Sequence, residues 1–415
     1  MQDVKFKDLN SFNIMDLFFL MCLLWFNGGL VRFNMYSALL NVALFAVTLF
    51  LSFILYPDFI TKMKGYGLIS GIIFVISVTL GYLLFSKVTT RFQHWELIYA
   101  LMILIIFVYY SHRPSLIRKI CLVCLLIDMI VMNFYTCYLL QFNSNISRIY
   151  AMGSEYVLKE GVTTYLLAGF FHVYATIPIL LYLCLRWKDV FKLSKRYRIL
   201  IITYFISALF LVIKANYATA ILFLIFFCVG ALFVNSKSGF INILTIFFVV
   251  ILIFFSLTTL LEYLSDNLYT GTIVEHRFND VLKFINGQGD NKNDINRRME
   301  FMRVSFDNFL EFPLFGTVEK NIEIGGHTEW IDGLAYYGLL RYPFFIAFII
   351  VSIRKVHEFI NCSSQIVILY LCILILGFFN PFINQNFFLA LYIIIPFIFM
   401  DYDYPEDTIS EEIQV

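Results

Sequence analysis

Long runs of apolar residues, separated by polar connections, recur along most of the 415-residue chain. Their lengths match the roughly 20 residues that an α-helix needs to cross the hydrocarbon core of a bilayer. The pattern predicts an all-α, polytopic integral membrane protein with about 12 transmembrane helices. The predicted spans are 11–30, 35–56, 67–86, 96–111, 119–140, 161–185, 199–214, 217–235, 240–260, 341–356, 365–380 and 386–400.

The composition agrees with a bilayer as the surrounding solvent. Hydrophobic residues make up 60% of the chain and charged residues only 14%, whereas soluble domains carry roughly 25% charged residues. A single soluble core is therefore excluded. The net charge of +1 gives no basis for bulk nucleic-acid binding, so we expect no nucleic-acid partner.

The eight cysteines lie in apolar runs or a short basic connection, which favours core packing over a disulfide framework. Cys121 and Cys124 form a C-x-x-C pair, but it lies within an apolar helix and has no second pair or histidine nearby, so neither a zinc nor a redox site is favoured. The first apolar run, from Ser11 to Leu30, lacks an A-x-A cleavage site and is interpreted as an anchor, not a cleaved signal peptide.

Most lysines and arginines of the short connections fall on one side of the predicted spans, with the densest group between Arg186 and Arg198. Basic connections stay in the cytoplasm, so both termini are predicted to be cytoplasmic. The chain then divides into helices 1–9 within 1–260, a large outer loop at 261–340 that contains short helices, helices 10–12 within 341–400, and a cytoplasmic tail at 401–415.

Within the loop, apolar residues recur at the three- and four-residue spacing of an amphipathic helix that Asp294 begins and Pro313 and Gly316 end. We expect this helix at the membrane interface, with its arginines near the headgroups. These arginines are Arg297, Arg298 and Arg303. The preceding stretch 288–294 lacks the glycine and closing glutamate of a calcium loop, and no metal site is predicted there.

A second loop motif begins with Gly325 and Gly326 and continues into a helix on which Trp330, Leu334 and Tyr337 share one face. His327 lies between the glycines and the helix. The ordinary pKa of histidine, near neutral pH, suits proton transfer. The alternative is that His327 only hydrogen-bonds the loop. The nearby arginines favour proton transfer.

A lipid-linked diphosphate substrate requires guanidinium groups, a titratable base and a bilayer-embedded protein body. One guanidinium can bind two phosphate oxygens at the same time. Five outer-face arginines are candidates, and we expect two of them to contact phosphate. They are Arg148, Arg277, Arg297, Arg298 and Arg303.

Within the predicted spans, Asp128 is the clear ionisable residue. A bond from Asp128 to a neighbouring helix is favoured over a role in a proton relay.

These motifs carry a resemblance to the O-antigen polymerase and O-antigen ligase superfamily. The matching features are an arginine at 298 or 297, the Pro313-Leu-Phe-Gly316 turn, His327, and the Tyr337-Gly-Leu-Leu340 ending, in one large late outer loop. The topology of the whole chain matches, while the specific part is roughly 277–340. Ligases usually have asparagine directly after the histidine, and Thr328 at this place favours the polymerase branch.

The resemblance implies a glycosyltransferase that needs no metal or cofactor and polymerises undecaprenyl-diphosphate-linked oligosaccharide at the outer face of a bacterial inner (cytoplasmic) membrane. It implies His327 as the catalytic base, and Arg298 and Arg277 as stabilisers of the leaving diphosphate. Substrate binding is assigned to Arg148, Arg297, Arg303, Trp330 and Asp332. A chain-length regulator and a flippase are the protein partners it suggests. A ligase, a transporter or flippase, and a non-catalytic scaffold stay open as alternatives.

Overall fold

The computed structural model describes residues 12–28, 38–55, 59–85, 95–152, 166–215, 217–233, 257–267, 273–285, 294–318, 320, 322–360 and 363–403. These residues form helices and no strand, which confirms the all-α prediction for this part of the chain. The first eleven helices are α1 Ile14–Asn27, α2 Ala38–Leu55, α3 Phe59–Lys64, α4 Leu68–Phe85, α5 Trp95–Ser111, α6 Ser115–Leu139, α7 Ile146–Met152, α8 Phe170–Leu185, α9 Trp187–Val190, α10 Lys195–Lys214 and α11 Ala218–Phe233.

The remaining helices include those of the region predicted to form the outer loop and those that close the bundle. They are α12 Leu257–Asn267, α13 Ile273–Ile285, α14 Asp294–Glu311, α15 Glu329–Tyr337, α16 Tyr342–His357, α17 Ser363–Phe379, α18 Gln385–Leu389, a π-helical turn at Ala390–Ile394, and α19 Ile395–Asp403. Each predicted span coincides with a helix except 240–260, of which 240–256 lie outside the described residues.

Within the described residues, α6 and α10 are long and apolar enough to cross a membrane. At 1.5 Å per residue, the 25 residues of α6 extend about 37 Å, more than the hydrocarbon core requires. Several shorter helices are equally apolar, among them α1, α4, α5, α8 and α17. Apolar side chains thus dominate both the inside and the outside of the helix bundle.

Several helices begin at places that differ from the prediction, and two of these starts have a local explanation. The sixth span was predicted from residue 161; residues 161–165 lie outside the described residues, and α8 begins at Phe170, because Gly169 before it is extended and Leu166 has a positive φ of 59°. The fifth span was predicted from residue 119, but α6 begins at Ser115, directly after Pro114. Proline favours helix starts because its φ is already helical and it lacks an N–H group.

The centre of the bundle is the last helical segment. Every residue from Phe387 to Met400 is buried, and the segment contacts α1, α5, α6, α8 and α16. A helix that is apolar on all sides requires such full enclosure, by protein or lipid. The sequence predicts this segment as one span among twelve; the structure places it inside the others.

Two acidic residues of the bundle are paired. Asp16 forms an ion pair with Arg113, with Nη2 and Oδ2 2.6 Å apart, and also accepts from the Tyr109 hydroxyl. Asp128 accepts a 2.6 Å hydrogen bond from the Asn27 side chain on α1. This bond agrees with the prediction that Asp128 links neighbouring helices.

Candidate functional site

The first layer of the site is α14, whose sides differ in polarity. Ser305 is buried and Phe301 is half-buried on the side that faces α15. On the other side, Met299, Phe306 and Leu310 are exposed. The helix begins at Asp294 and ends at Glu311, before Pro313, as the spacing predicts. α14 therefore offers one face for the site and a second, apolar face to its surroundings.

The two motifs at 313–316 and 337–340 lie directly against each other. The backbone N–H of Leu339 donates to the Pro313 carbonyl at 2.8 Å, and the N–H of Leu340 donates to the Leu314 carbonyl at 3.0 Å. A Cβ on Gly338 would lie 2.4 Å from the Leu314 carbonyl oxygen, and φ is +73° at this glycine. Glycine is needed here for both reasons. The paired turns join the end of α14 to the start of α16.

A compact hydrogen-bond network holds the segment that carries His327. The Gly325 N–H donates to the Ser305 hydroxyl, which donates to Oδ1 of Asp332. Oδ2 of the same carboxylate accepts from the Thr328 N–H at 2.6 Å, and the Thr328 hydroxyl caps α15 in return. A side chain at position 325 would collide with the Phe301 carbonyl. The segment is thereby held close to α14.

The imidazole of His327 lies on the ring of Phe301. The ring centroids are 4.5 Å apart and the planes are inclined by 26°. One turn earlier on α14, the Arg297 guanidinium lies 5.3 Å from the centre of the same Phe301 ring. Phe301 thus contacts both a cation and the candidate base.

Arg298 and Arg148 come from connections far apart in the sequence and interact electrostatically. The charge of Arg298 acts on Arg148, and both act on the Tyr174 hydroxyl. Arg148 lies over the ring of Tyr217, 5.3 Å from its centre. Nη1 of Arg298 approaches the Phe379 carbonyl at 3.5 Å. We call Arg148, Arg298 and His327 the charged cluster.

The electrostatics of the charged cluster favour a neutral imidazole. Burial lowers the pKa of His327, and Arg298 and Arg297 lower it further, while Asp332 acts in the opposite direction. Burial also lowers the pKa of Arg148, to which Arg298 contributes by its like charge. Guanidinium stays charged at neutral pH in proteins, so the cluster combines two cations with one uncharged base.

The other predicted site residues are placed differently. Arg277 lies on α13, and its side chain is outside the described part of the structure. Arg303 is 82% exposed and pairs with Asp307 on its own helix at 3.6 Å.

Trp330 and Asp332, the two predicted site residues on α15, contact other parts of the protein. The Trp330 indole N–H donates to the Leu374 carbonyl at 2.7 Å, and its ring lies against Gly377. Asp332 is buried in the network around Ser305 and Thr328. The geometry therefore gives Trp330 and Asp332 contacts within the protein, and their assignment to substrate binding stays a prediction.

Glu329 is a site residue that the sequence interpretation missed. Its Oε2 accepts backbone hydrogen bonds from Phe382 at 3.0 Å and Ile383 at 3.1 Å. Burial raises the pKa of this carboxyl to about 8; the two N–H groups favour the charged form, while Glu96 and Asp332 disfavour it. The signal in the sequence is its position, directly after the helix cap Thr328 and two residues after His327.

Chemically, the charged cluster can bind an anionic group between two guanidiniums and accept a proton at the imidazole. Within the described ranges, no group of three or more His, Cys, Asp or Glu side chains is placed to hold a metal ion. No protein-family model matches the chain, and no curated protein matches it in sequence. The function is therefore inferred from the chemistry of these residues.

Proposed function

We propose that the protein polymerises undecaprenyl-diphosphate-linked oligosaccharide repeat units, in O-antigen, capsule or exopolysaccharide synthesis, at the outer face of a bacterial cytoplasmic membrane. One observation carries the proposal: the charge of Arg298 acts both on Arg148, from a distant part of the chain, and on the half-buried His327. That combination suits a diphosphate leaving group and a hydroxyl nucleophile. The motif resemblance to the O-antigen polymerase and ligase superfamily supports the same reaction.

The membrane location is supported by apolar side chains on the outside of the bundle. Along α4, exposed residues recur every three or four positions and form a continuous apolar stripe. They are Ile69, Ile72, Ile73, Ile76 and Leu80, each between 39% and 55% exposed. Such a stripe is unfavourable in water and favourable against lipid. We propose twelve spans with both termini in the cytoplasm.

In the proposed reaction, His327 accepts the proton of the attacking sugar hydroxyl. The hydroxyl oxygen forms a bond to the anomeric carbon while the bond from that carbon to the diphosphate oxygen breaks. The electron pair leaves with undecaprenyl diphosphate. Arg298 and Arg148 stabilise the charge of this leaving group, and the family resemblance adds Arg277 to them. Direct displacement at the anomeric carbon inverts its configuration. The activated bond of the lipid carrier supplies the driving force, so no nucleotide is needed.

The lowered pKa of His327 gives a signed prediction for pH dependence. Removing a neighbouring positive charge raises an imidazole pKa, so Arg297→Ala should move the acidic limb of the pH–rate profile to higher pH than in the wild type. The direction follows from the like charge, since Arg297 disfavours the protonated imidazolium. The measurement is initial polymerisation rate from pH 5 to 8. A limb that stays in place would contradict the role of His327 as the titrating base.

The direct test is to incubate the purified protein in nanodiscs with a lipid-linked repeat unit, with and without lipid A core, and to separate the products by gel electrophoresis. A ladder of increasing length is the expected result. A single addition to lipid A core with no ladder would indicate the ligase alternative. Movement of the lipid-linked unit between leaflets without any new glycosidic bond would indicate a transporter or flippase, and no effect at all would favour a scaffold.

The proposed topology predicts opposite accessibility for two lysines. Lys192 lies in the basic connection between α9 and α10, and Lys320 lies between α14 and α15. In intact cells, Lys320→Cys should react with a membrane-impermeant maleimide, whereas Lys192→Cys should react only after the membrane is permeabilised. Equal reactivity of the two cysteines in intact cells would exclude the twelve-span arrangement.

A further inference from the structure

Glu329 connects the segment that carries the candidate base to a turn next to a candidate phosphate-binding arginine. Residues 380–384 link α17 to α18, and Phe382 and Ile383 of this turn donate backbone N–H groups to the Glu329 carboxyl group. Phe379, the last residue of α17 before the turn, accepts from Arg298 at its carbonyl oxygen. The short stretch 379–383 therefore contacts both Arg298 and the first residue of α15, two residues after His327.

We propose that Glu329 is a positioning residue that fixes the relative placement of His327 and Arg298 through the turn at 380–383. The proposal rests on the proposed function for its consequence in catalysis, but its structural content stands apart from it. Glu329 does not touch the reacting atoms; it sets where the base and the cation stand. Reaction rates are sensitive to such placement, because misplacement by about 1 Å costs about a hundredfold.

The carboxyl group of Glu329 is the main polar link between α15 and this turn. Oε2 accepts two N–H groups of consecutive residues, an arrangement that fixes the side chain in two directions. Its own backbone carbonyl accepts a third bond, from the Tyr342 hydroxyl at 2.9 Å. The Trp330 ring, packed edge to face on Phe382 at 6.2 Å, closes the apolar side of the same contact.

Three substitutions of Glu329 and one of Tyr342 distinguish the contribution of the Glu329 carboxyl group from that of the other contacts between α15 and its neighbours. Glu329→Ala removes the acceptor, while Glu329→Gln keeps one side-chain oxygen that can accept both N–H groups. Glu329→Asp keeps a carboxyl group but shortens the side chain by one methylene, so the acceptor no longer reaches both donors. Tyr342→Phe is the matched control, since it removes the bond to the Glu329 backbone and leaves the carboxyl group in place.

The first readout does not depend on enzymatic activity. Diethyl pyrocarbonate modifies neutral imidazole, and mass spectrometry of the full-length protein in nanodiscs gives the modification rate of each histidine. Loss of two hydrogen bonds should loosen the His327 segment and raise its modification rate about tenfold in Glu329→Ala. Glu329→Gln and Tyr342→Phe should stay within about threefold of the wild type. The exposed His276 on α13 serves as the internal reference.

The second readout is polymerisation kinetics. Glu329→Ala should lower kcat about tenfold or more with little change in KM, and Glu329→Gln should restore most of the rate. Unchanged His327 labelling together with unchanged kcat in Glu329→Ala would overturn the proposal. If Glu329→Ala is not monodisperse, Glu329→Asp carries the same comparison. A labelling response in a protein whose wild type makes no polymer would support the positioning role and contradict the proposed function.

Discussion

Replacing Arg298 with alanine is expected to abolish polymer formation while single repeat units remain on the lipid carrier. The charge of Arg298 acts on both Arg148 and His327, and the proposed mechanism assigns this guanidinium to the charge of the leaving diphosphate. Loss of one such donor typically lowers kcat by about 10²–10³-fold. Initial rates with the lipid-linked repeat unit in nanodiscs measure the loss, and product length on a gel shows whether long polymer persists.

Lys320→Ala is the matched control for Arg298→Ala. Lys320 lies between α14 and α15, and its ammonium group lies 3.2 Å from the centre of the Phe312 ring, so its removal deletes a cation of the same connection away from the charged cluster. We expect Lys320→Ala to retain polymerisation within about twofold, as surface substitutions usually do. Long polymer in Arg298→Ala at the level of Lys320→Ala would remove Arg298 from the mechanism.

Replacing His327 with alanine should stop transfer at the proton-accepting step. A positioned general base contributes about 10²–10⁴-fold to such a reaction, and the lowered pKa of His327 keeps the imidazole neutral at neutral pH. Binding of undecaprenyl diphosphate should remain within about threefold of the wild type, since the arginines are intact. Single-turnover rates and lipid binding, measured on the same preparation, separate these two effects.

His276→Ala provides the comparison for His327→Ala. His276 is an exposed histidine on α13, and we expect it to be dispensable. His327→Gln tests whether the reaction needs a base at this position or only a hydrogen bond to the loop, because glutamine can hydrogen-bond the loop but accepts no proton near neutral pH. Activity in His327→Gln close to that of the wild type would favour the alternative in which His327 only holds the loop.

The sequence was sufficient to predict the helices of most apolar spans and the loop helices α14 and α15, because their formation depends on local apolar runs and on proline and glycine at their ends. α14 from Asp294 to Glu311 is an example, since amphipathic spacing and Pro313 define it locally. The burial of Phe387 to Met400 was not predictable, because an apolar run has the same sequence signal whether it faces lipid or protein. The short helices α3, α7 and α9 lay within predicted connections.

For the candidate site, residues with distinctive chemistry were easier to identify than their neighbours. Arg298 and His327 stand out by residue type and motif. Tyr174 and Tyr217 do not, because nothing in an aromatic residue of an apolar run indicates that an arginine from a distant part of the chain will lie near it. Phe301 was missed for a related reason: its stacking on His327 depends on how α14 and α15 pack.

The buried position of the last helical segment also governs the order in which the protein can be assembled. A ribosome makes this segment after all the helices that surround it, so the bundle must form around a gap or remain loose until α18 and α19 arrive. The turn at 380–383, which contacts Glu329, immediately precedes them. A nascent chain that lacks these residues therefore has neither a filled centre nor the backbone donors that hold the Glu329 carboxyl group.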